Sequence, residues 1–304
     1  MIYTITFSPS IDYVINTKND FNQNDLNRVE DYEFLPGGKG INASIILKRN
    51  GYENKAITFL GGSTKKLFLD LVANEKVVLI DFEAENDTRI NVKMFANNAT
   101  YEINGARAKI NDNEYEKLIN FIENNIDKND FVFIMGICEE NILKKIVEKL
   151  HSKKIEFALD VDSKVVLDLM KYKPFIIKPN RSELESLLSV KINTVEEMKN
   201  AMNNLKSKGL KNLLVSDGGK GSYFLDENNN CYQITLDKKF DIVSTVGAGD
   251  TLISSFTTIY RQTNNVIQSL KEATSLSIGT SCTRFLASKE DRTKYINYIN
   301  IKKI

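Results

Sequence analysis

The sequence predicts an α/β fold in which a mostly parallel sheet is covered by helices on both faces and a smaller sheet projects from it. Three observations carry this. From about residue 110 onward, short apolar runs alternate with stretches of helical periodicity. Those runs are continuously apolar, as strands buried on both faces are. The first hundred residues instead hold alternating, β-branched segments.

Taken along the chain, IDYVIN (11–16), TRINVKMFA (88–96) and TYEIN (100–104) read as strands. No long helix separates the last two, so a hairpin across Asn97–Ala99 is expected. These segments are read as a small antiparallel sheet, its strands drawn from about 11–35 and 88–104, able to serve as a lid. Tyr115, Leu118, Ile119 and Ile122 recur at helical spacing, FVFIMG (131–136) has strand length, and Ile142, Leu143, Ile146, Val147 and Leu150 mark the next helix. IEFALD (155–160) reads as a strand, VVLDLM (165–170) as a short helix and FIIK (175–178) as a strand. A helix then opens at Asn180, another spans 195–208 before Gly209, and NLLVSD (212–217) is a strand. No linker or repeat divides the 304 residues, so one domain over 1–304 is expected. Ligands should sit at the carboxyl ends of the parallel strands, in the loops after 136, 160, 178 and 216.

Composition excludes several classes. Forty-one Lys and Arg against 40 Asp and Glu give a net charge of +1, with no sign of a nucleic-acid or membrane surface. The single histidine, His151, lies in the basic stretch EKLHSKK, reads as a surface residue and rules out a multi-histidine metal site. Three widely spaced cysteines suit a reduced, cytoplasmic setting. The opening MIYTITFSPS has no basic region before its apolar run, so no signal peptide is expected, and no apolar run reaches about 18 residues.

Four glycine-bearing stretches stand out: PGGKG (36–40), GG (61–62), SDGGKG (216–221) and VGAGD (246–250). None completes a P-loop, and GAGDTL does not complete GxGxxG. Gly247, Ala248 and Gly249 form a tight turn into a helix, where free amides and the dipole favour an anion, and Asp250 lies in the first turn. The alternative is that Asp250 merely caps that helix. PGGKGINASIILKRNGY has the same grammar, with Lys39 beside the exposed amides. In KPNRSELE, Asn180 and Glu183 have capping-box spacing; the other reading is that they hold a hydrated Mg²⁺, with Lys178 facing nucleotide phosphates.

GGKGIN near residue 40 together with VGAGD near 250 resembles the two signatures of the ribokinase-like (PfkB) carbohydrate kinases. SPSIDY (8–13), NR (27–28), TRINVK (88–93), EING (102–105), KPNRSELE (178–185) and VSDGGKG (215–221) extend the resemblance over essentially the whole chain. TRINVK and EING look most like the bacterial 1-phosphofructokinase branch, with tagatose-6-phosphate kinase a close relative.

The resemblance implies a three-layer α/β/α domain with a β-sheet lid that is often a homodimer contact. It implies transfer of the ATP γ-phosphoryl group to a sugar hydroxyl, with Mg²⁺. Asp250 matches the family's catalytic base, and Gly247, Ala248 and Gly249 its anion hole. Asp12, Gly38, Lys39 and Asn42 match positions that hold the sugar, and Arg28 and Arg89 those that hold its phosphate. Lys178, Asn180, Ser216, Gly218, Gly219 and Gly221 match the nucleotide side, and Glu183 the metal-associated acid. The expected reaction is fructose 1-phosphate to fructose 1,6-bisphosphate, with tagatose 6-phosphate or fructose 6-phosphate as the alternative substrate. The chain departs from the family at MGICEEN (135–141), where a hydroxyl-bearing loop with a proline is usual, and this bears on sugar recognition. From another class, that departure fits a sugar-phosphate sensor without turnover, against which the intact Asp250 and Glu183 count.

Overall fold

The computed structural model describes residues 1–17, 22, 24–29, 31–96 and 99–304. β1 (Ile2–Thr6), β2 (Ser10–Asn16) and β3 (Asp31–Gly37) lead to α1 (Lys39–Arg49). β4 (Asn54–Leu60), α2 (Lys65–Asn74), β5 (Val78–Glu83), β6 (Arg89–Phe95) and β7 (Thr100–Ile103) follow. The alternating region runs α3 (Asp112–Asn125), β8 (Phe131–Met135), α4 (Glu140–Ser152), β9 (Glu156–Asp160), α5 (Val166–Leu169), β10 (Ile176–Ile177), α6 (Arg181–Leu188), α7 (Val195–Lys206) and β11 (Asn212–Ser216). β12 (Ser222–Leu225), β13 (Cys231–Leu236), α8 (Ala248–Thr263), α9 (Val266–Ser281), α10 (Asp291–Lys294) and β14 (Ile299–Lys303) complete it.

A ten-stranded sheet has the order β14-β13-β12-β11-β10-β9-β8-β1-β4-β5. From β5 to β11 every pairing is parallel, and β12 to β14 are added antiparallel at one edge. Strand alternation makes the two cores. Val132, Ile134, Phe157, Leu159, Leu213 and Val215 pack with the apolar stripes of α3, α4 and α7. Phe131, Phe133, Ala158, Ile176 and Leu214 pack on the opposite face with α1, α8 and α9. This satisfies the continuous apolar runs read in the sequence. The same period carries on past the strand ends. Asp160, Lys178 and Ser216 fall in step with Ala158, Ile176 and Leu214, on the α1/α8 side of the sheet.

The second sheet, β3-β2-β6-β7, is not wholly antiparallel as expected: β2 and β6 run parallel, while β2–β3 and β6–β7 are antiparallel. The chain between β2 and β6 passes through the large sheet, a crossover long enough for parallel pairing. Ala96 N–H donates to Ala99 O across the expected hairpin (2.9 Å); its residues Asn97 and Asn98, and 18–21, 23 and 30 of the expected lid span, lie outside the described residues.

The pair Gly61–Gly62, without a role at the level of sequence, ties the two sheets together. Gly61 N–H donates to Thr88 Oγ1 (3.2 Å), and Thr88 N–H donates to Gly61 O (2.9 Å), one residue before β6 begins. A Cβ on Gly61 would stand 2.2 Å from Ala84 O and 2.4 Å from Asn86 O, both backbone atoms with little room to yield. We expect Gly61→Ala to destabilise the protein by about 1–3 kcal/mol, lowering the melting temperature by several degrees in a thermal scan. An unchanged melting temperature would show that this close approach is not needed.

Candidate active site

A cleft of about 680 Å³ opens where the carboxyl ends of β10 and β11 meet the N-termini of α1 and α8, with one face of the small sheet as its far wall. Asp12, Gly38, Lys39, Asn42, Arg89, Lys178, Asn180, Glu183, Ser216, Gly218, Gly219, Gly221 and residues 247–250 all line it.

Arg28 does not. It is exposed on the stretch that precedes β3, whose first residue Asp31 pairs with Asn16 at the end of the small sheet away from Ser10 and Gly37. No residue of 135–141 lines the cleft either. The departure that bore on sugar recognition therefore lies outside it. His151 sits at the exposed end of α4 beside Tyr172 O (3.1 Å).

Two helix N-termini form the centre. Gly38 precedes α1 at φ 115° and Gly247 precedes α8 at φ 78°, conformations that suit glycine. No side chain caps either helix; the Ala248 N–H donates to Thr245 O (3.3 Å), and the other first-turn amides stay available to a ligand anion. Asp250 thus does not act as a cap. Its carboxylate is buried and Oδ2 accepts from Asn42 Nδ2 at 2.8 Å, an α1–α8 link across 208 residues of sequence. Burial first, then the charge of Asp160, push the Asp250 pKa up to about 6, against the opposing effects of Lys39, Asn42 and Lys178.

Beneath it lies a residue the sequence reading missed. Asp160 ends β9, is 4% exposed, accepts from Lys39 Nζ at 3.1 Å and faces Lys178 Nζ at 3.6 Å. Burial works to raise its pKa, and the two ammonium groups hold it below the ordinary carboxylate value. Burial works to lower the Lys39 pKa, and Asp160 and Asp250 outweigh it. Lys178 also reaches the α8 turn: a Cβ on Gly249 would lie 3.1 Å from its Nζ. An acid closing a parallel strand was the available signal.

The far wall is polar on one face. Asp12 Oδ1 accepts from Asn91 Nδ2 and from Ser10 Oγ, both at 2.9 Å, and Oδ2 pairs with Lys93. Arg89, Asn91 and Lys93 share that face by strand alternation, a period that TRINVK already displayed, although Asn91 and Lys93 were not singled out. Arg89 reaches Ser8 O (3.3 Å) and Pro9 O (3.4 Å).

On the opposite side, Arg181 donates to both Asp217 oxygens from Nε and Nη2, fixing the start of the SDGGKG turn. Asn180 and Glu183 form a complete capping box on α6, with bonds of 2.9 and 2.8 Å, so the structural reading of that pair holds. One Glu183 oxygen is spent on the cap, and the side chain still lines the cleft. Among the described residues no three His, Cys, Asp or Glu side chains cluster as a metal cage.

Comparison with known proteins agrees with this geometry. Residues 5–284 match the family described as pfkB family carbohydrate kinase, and the chain belongs to it. It is 31% identical to 1-phosphofructokinase of Borreliella burgdorferi, over 100% of this chain and 99% of that protein. It is also 31% identical to D-tagatose-1-phosphate kinase of Bacillus licheniformis, over 96% and 97%. The crystal structure of phosphofructokinase-2 from Escherichia coli in complex with substrates and products shares the fold, with a TM-score of 0.90 over 98% of each chain at 24% identity.

The Asp250 environment has a stability consequence. Its folded-state pKa of about 6 lies above the ordinary value of 3.8, so the folded protein binds this proton more readily than the unfolded chain does. Stability from this group is full below the ordinary value and is lost as pH rises through about 6. The neutral Asp250→Asn protein should therefore melt a few degrees higher than the parent at pH 7.5, on the order of 1–3 kcal/mol. The gap should close toward pH 4. Equal melting temperatures at both pH values would contradict the burial argument.

Proposed function

We propose that this carbohydrate kinase transfers the γ-phosphoryl group of ATP to the 6-hydroxyl of a ketohexose 1-phosphate, fructose 1-phosphate foremost. The observation that carries the reading is the buried Asp250 carboxylate beside the uncapped Gly247–Gly249 turn, facing a polar wall across one cleft. Asp250 accepts the hydroxyl proton as the sugar oxygen attacks the γ-phosphorus, the bond to the bridging oxygen breaks, and ADP leaves. The turn amides, Lys39 and Lys178 neutralise charge on the transferring group. Asp12 and Asn42 take the sugar hydroxyls, and Arg89 takes the substrate phosphate as a charge-assisted partner. Lys178, Asn180, Ser216 and the glycines of 218–221 lie along the nucleotide.

The donor set fits Mg²⁺ held largely by water and nucleotide phosphates. Glu183 offers one oxygen beyond its cap, and an ion that keeps several waters needs no cage of carboxylates. When bound, the ion neutralises phosphate charge.

The two curated relatives each carry a ketohexose 1-phosphate in their names, which supports a 1-phosphate substrate over a 6-phosphate. We read residues 1–304 as one kinase unit and the small sheet as its lid. The outward face of that sheet presents Tyr13, Tyr32, Ile90, Val92 and Ile103, several of them well exposed. A second copy of the chain covering this face is the homodimer we propose. Three free cysteines and the soluble substrates fit a cytoplasmic setting.

A substrate panel tests the reading. At saturating MgATP, kcat/KM for fructose 1-phosphate and tagatose 1-phosphate should exceed that for fructose 6-phosphate and tagatose 6-phosphate by roughly 5- to 150-fold, since a misplaced sugar leaves buried polar groups unpaired. A preference for either 6-phosphate would overturn the substrate; no turnover with any of the four would overturn the activity.

Arg89→Ala should raise KM for the sugar phosphate by roughly 10- to 200-fold and leave KM for ATP nearly unchanged, because the nucleotide loops lie across the cleft. Equal rises in both would make Arg89 a structural residue of the small sheet.

A further inference from the structure

The substrate already carries one phosphate, and Arg89 alone has been assigned to it. That guanidinium is weakly engaged: its Nε and Nη2 reach the carbonyls of Pro9 and Ser8 at 3.4 and 3.3 Å, long bonds to neutral acceptors. Arg28, the expected second cation, does not line the cleft, and the stretch MGICEEN (135–141) has no hydroxyl group to offer.

A different arginine comes close to Arg89. The chain leaving β7 stays beside β6. Gly105 N–H donates to Asn91 Oδ1 (3.1 Å), and a Cβ on Gly105 would stand 2.4 Å from Ile90 O and 3.3 Å from Arg89 Cβ. The segment therefore runs back along β6 toward its first residue. Lys93 pairs with Glu102 and Val92 with Ile103, so the same register carried on sets Ala106 opposite Arg89, and Arg107 follows directly. Beyond it, Glu85 N–H donates to Lys109 O (2.9 Å), so the segment is pinned on both sides of Arg107. Arg89 and Asn104 line the cleft, and Arg107 is exposed at its rim.

Two guanidinium groups held side by side repel. Burial first, then the charge of Arg107, lower the Arg89 pKa, against the pull of Asp12. Among the described residues Arg107 has no hydrogen-bond or ion-pair partner of its own. A phosphate placed between the two groups would turn this repulsion into attraction, since each guanidinium presents a planar fork of donors that matches phosphate oxygens.

We propose that Arg107 is a substrate-binding residue, joining Arg89 in holding the phosphate of the ketohexose phosphate at the rim of the cleft. This rests on the kinase reading above and deepens it, because two guanidinium groups on one phosphate select a phosphorylated sugar over a free one.

The test compares the parent with Arg107→Ala and Arg107→Lys. The side chain is exposed and holds no neighbour in place, so all three proteins should melt within about one or two degrees of one another. Fructose 1-phosphate, titrated calorimetrically into each protein without nucleotide, should bind Arg107→Ala with a Kd raised roughly 5- to 30-fold. KM for fructose 1-phosphate should rise in step, while KM for ATP stays within about twofold of the parent's, as expected for a residue outside the nucleotide loops. Arg107→Lys should recover part of the loss, since it keeps the charge and loses the fork.

A parental Kd for fructose 1-phosphate in Arg107→Ala would refute the assignment. Equal weakening toward fructose 1-phosphate and ATP would refute it too, because a general attraction of anions to the rim acts on both. A parent that binds fructose 1-phosphate without turnover would refute the kinase reading alone; the Kd comparison would still decide Arg107, a raised value supporting it. A parent that does not bind fructose 1-phosphate would refute both.

Discussion

The structure depends on holding two buried carboxylates against two ammonium groups, Lys178 buried and Lys39 partly exposed, beside one cleft. Asp160 and Asp250 are each nearly inaccessible, and Lys39 and Lys178 close the charge balance between them. Such a cluster contributes little to stability, because desolvation offsets most of the mutual attraction. Its value is preorganisation: the charges and the uncapped amides are set before substrate arrives, in a place where water screens them weakly.

The fold is arranged to bring these four groups to one point. Strand alternation points Asp160 and Lys178 to the same face of the sheet, where α1 and α8 lie. Glycine turns start both helices without side-chain caps, so Lys39 and Asp250 enter at the first turn with free amides beside them. The Asn42–Asp250 bond then locks one helix to the other. The small sheet stands opposite, and its pleat sorts Asp12, Asn91 and Lys93 inward and Tyr13 and Val92 outward. The face toward the cleft is polar while the other face is largely apolar.

Much of this was legible in the sequence. The apolar runs at 131–135 and 156–159 are strands because buried parallel strands have no polar face, and the helical periods between them fall where the helices do. The capping-box spacing of Asn180 and Glu183 and the glycine turn at 247–249 were readable because their physics is local. What was not legible is tertiary. That Asp250 does not cap its helix emerges only when Asn42, 208 residues away, is seen donating to it. Asp160 reads as the last residue of a strand until two distant lysines close on it. Arg28 reads as a partner of Arg89, yet only Arg89 lines the cleft. The parallel pairing of β2 and β6 is likewise set by a crossover through the large sheet.

The central claim is that Asp250 is the group that takes the acceptor proton. The most direct measurement is steady-state turnover of Asp250→Asn with fructose 1-phosphate and MgATP at pH 7.5, beside the parent. Asn retains the size and the hydrogen-bonding reach of the side chain, so both KM values should stay close to the parent's while kcat falls by about 10²- to 10⁴-fold. A variant that retained more than half of the parent's kcat would contradict the account, because the buried charge at the cleft floor would then have no part in the chemistry.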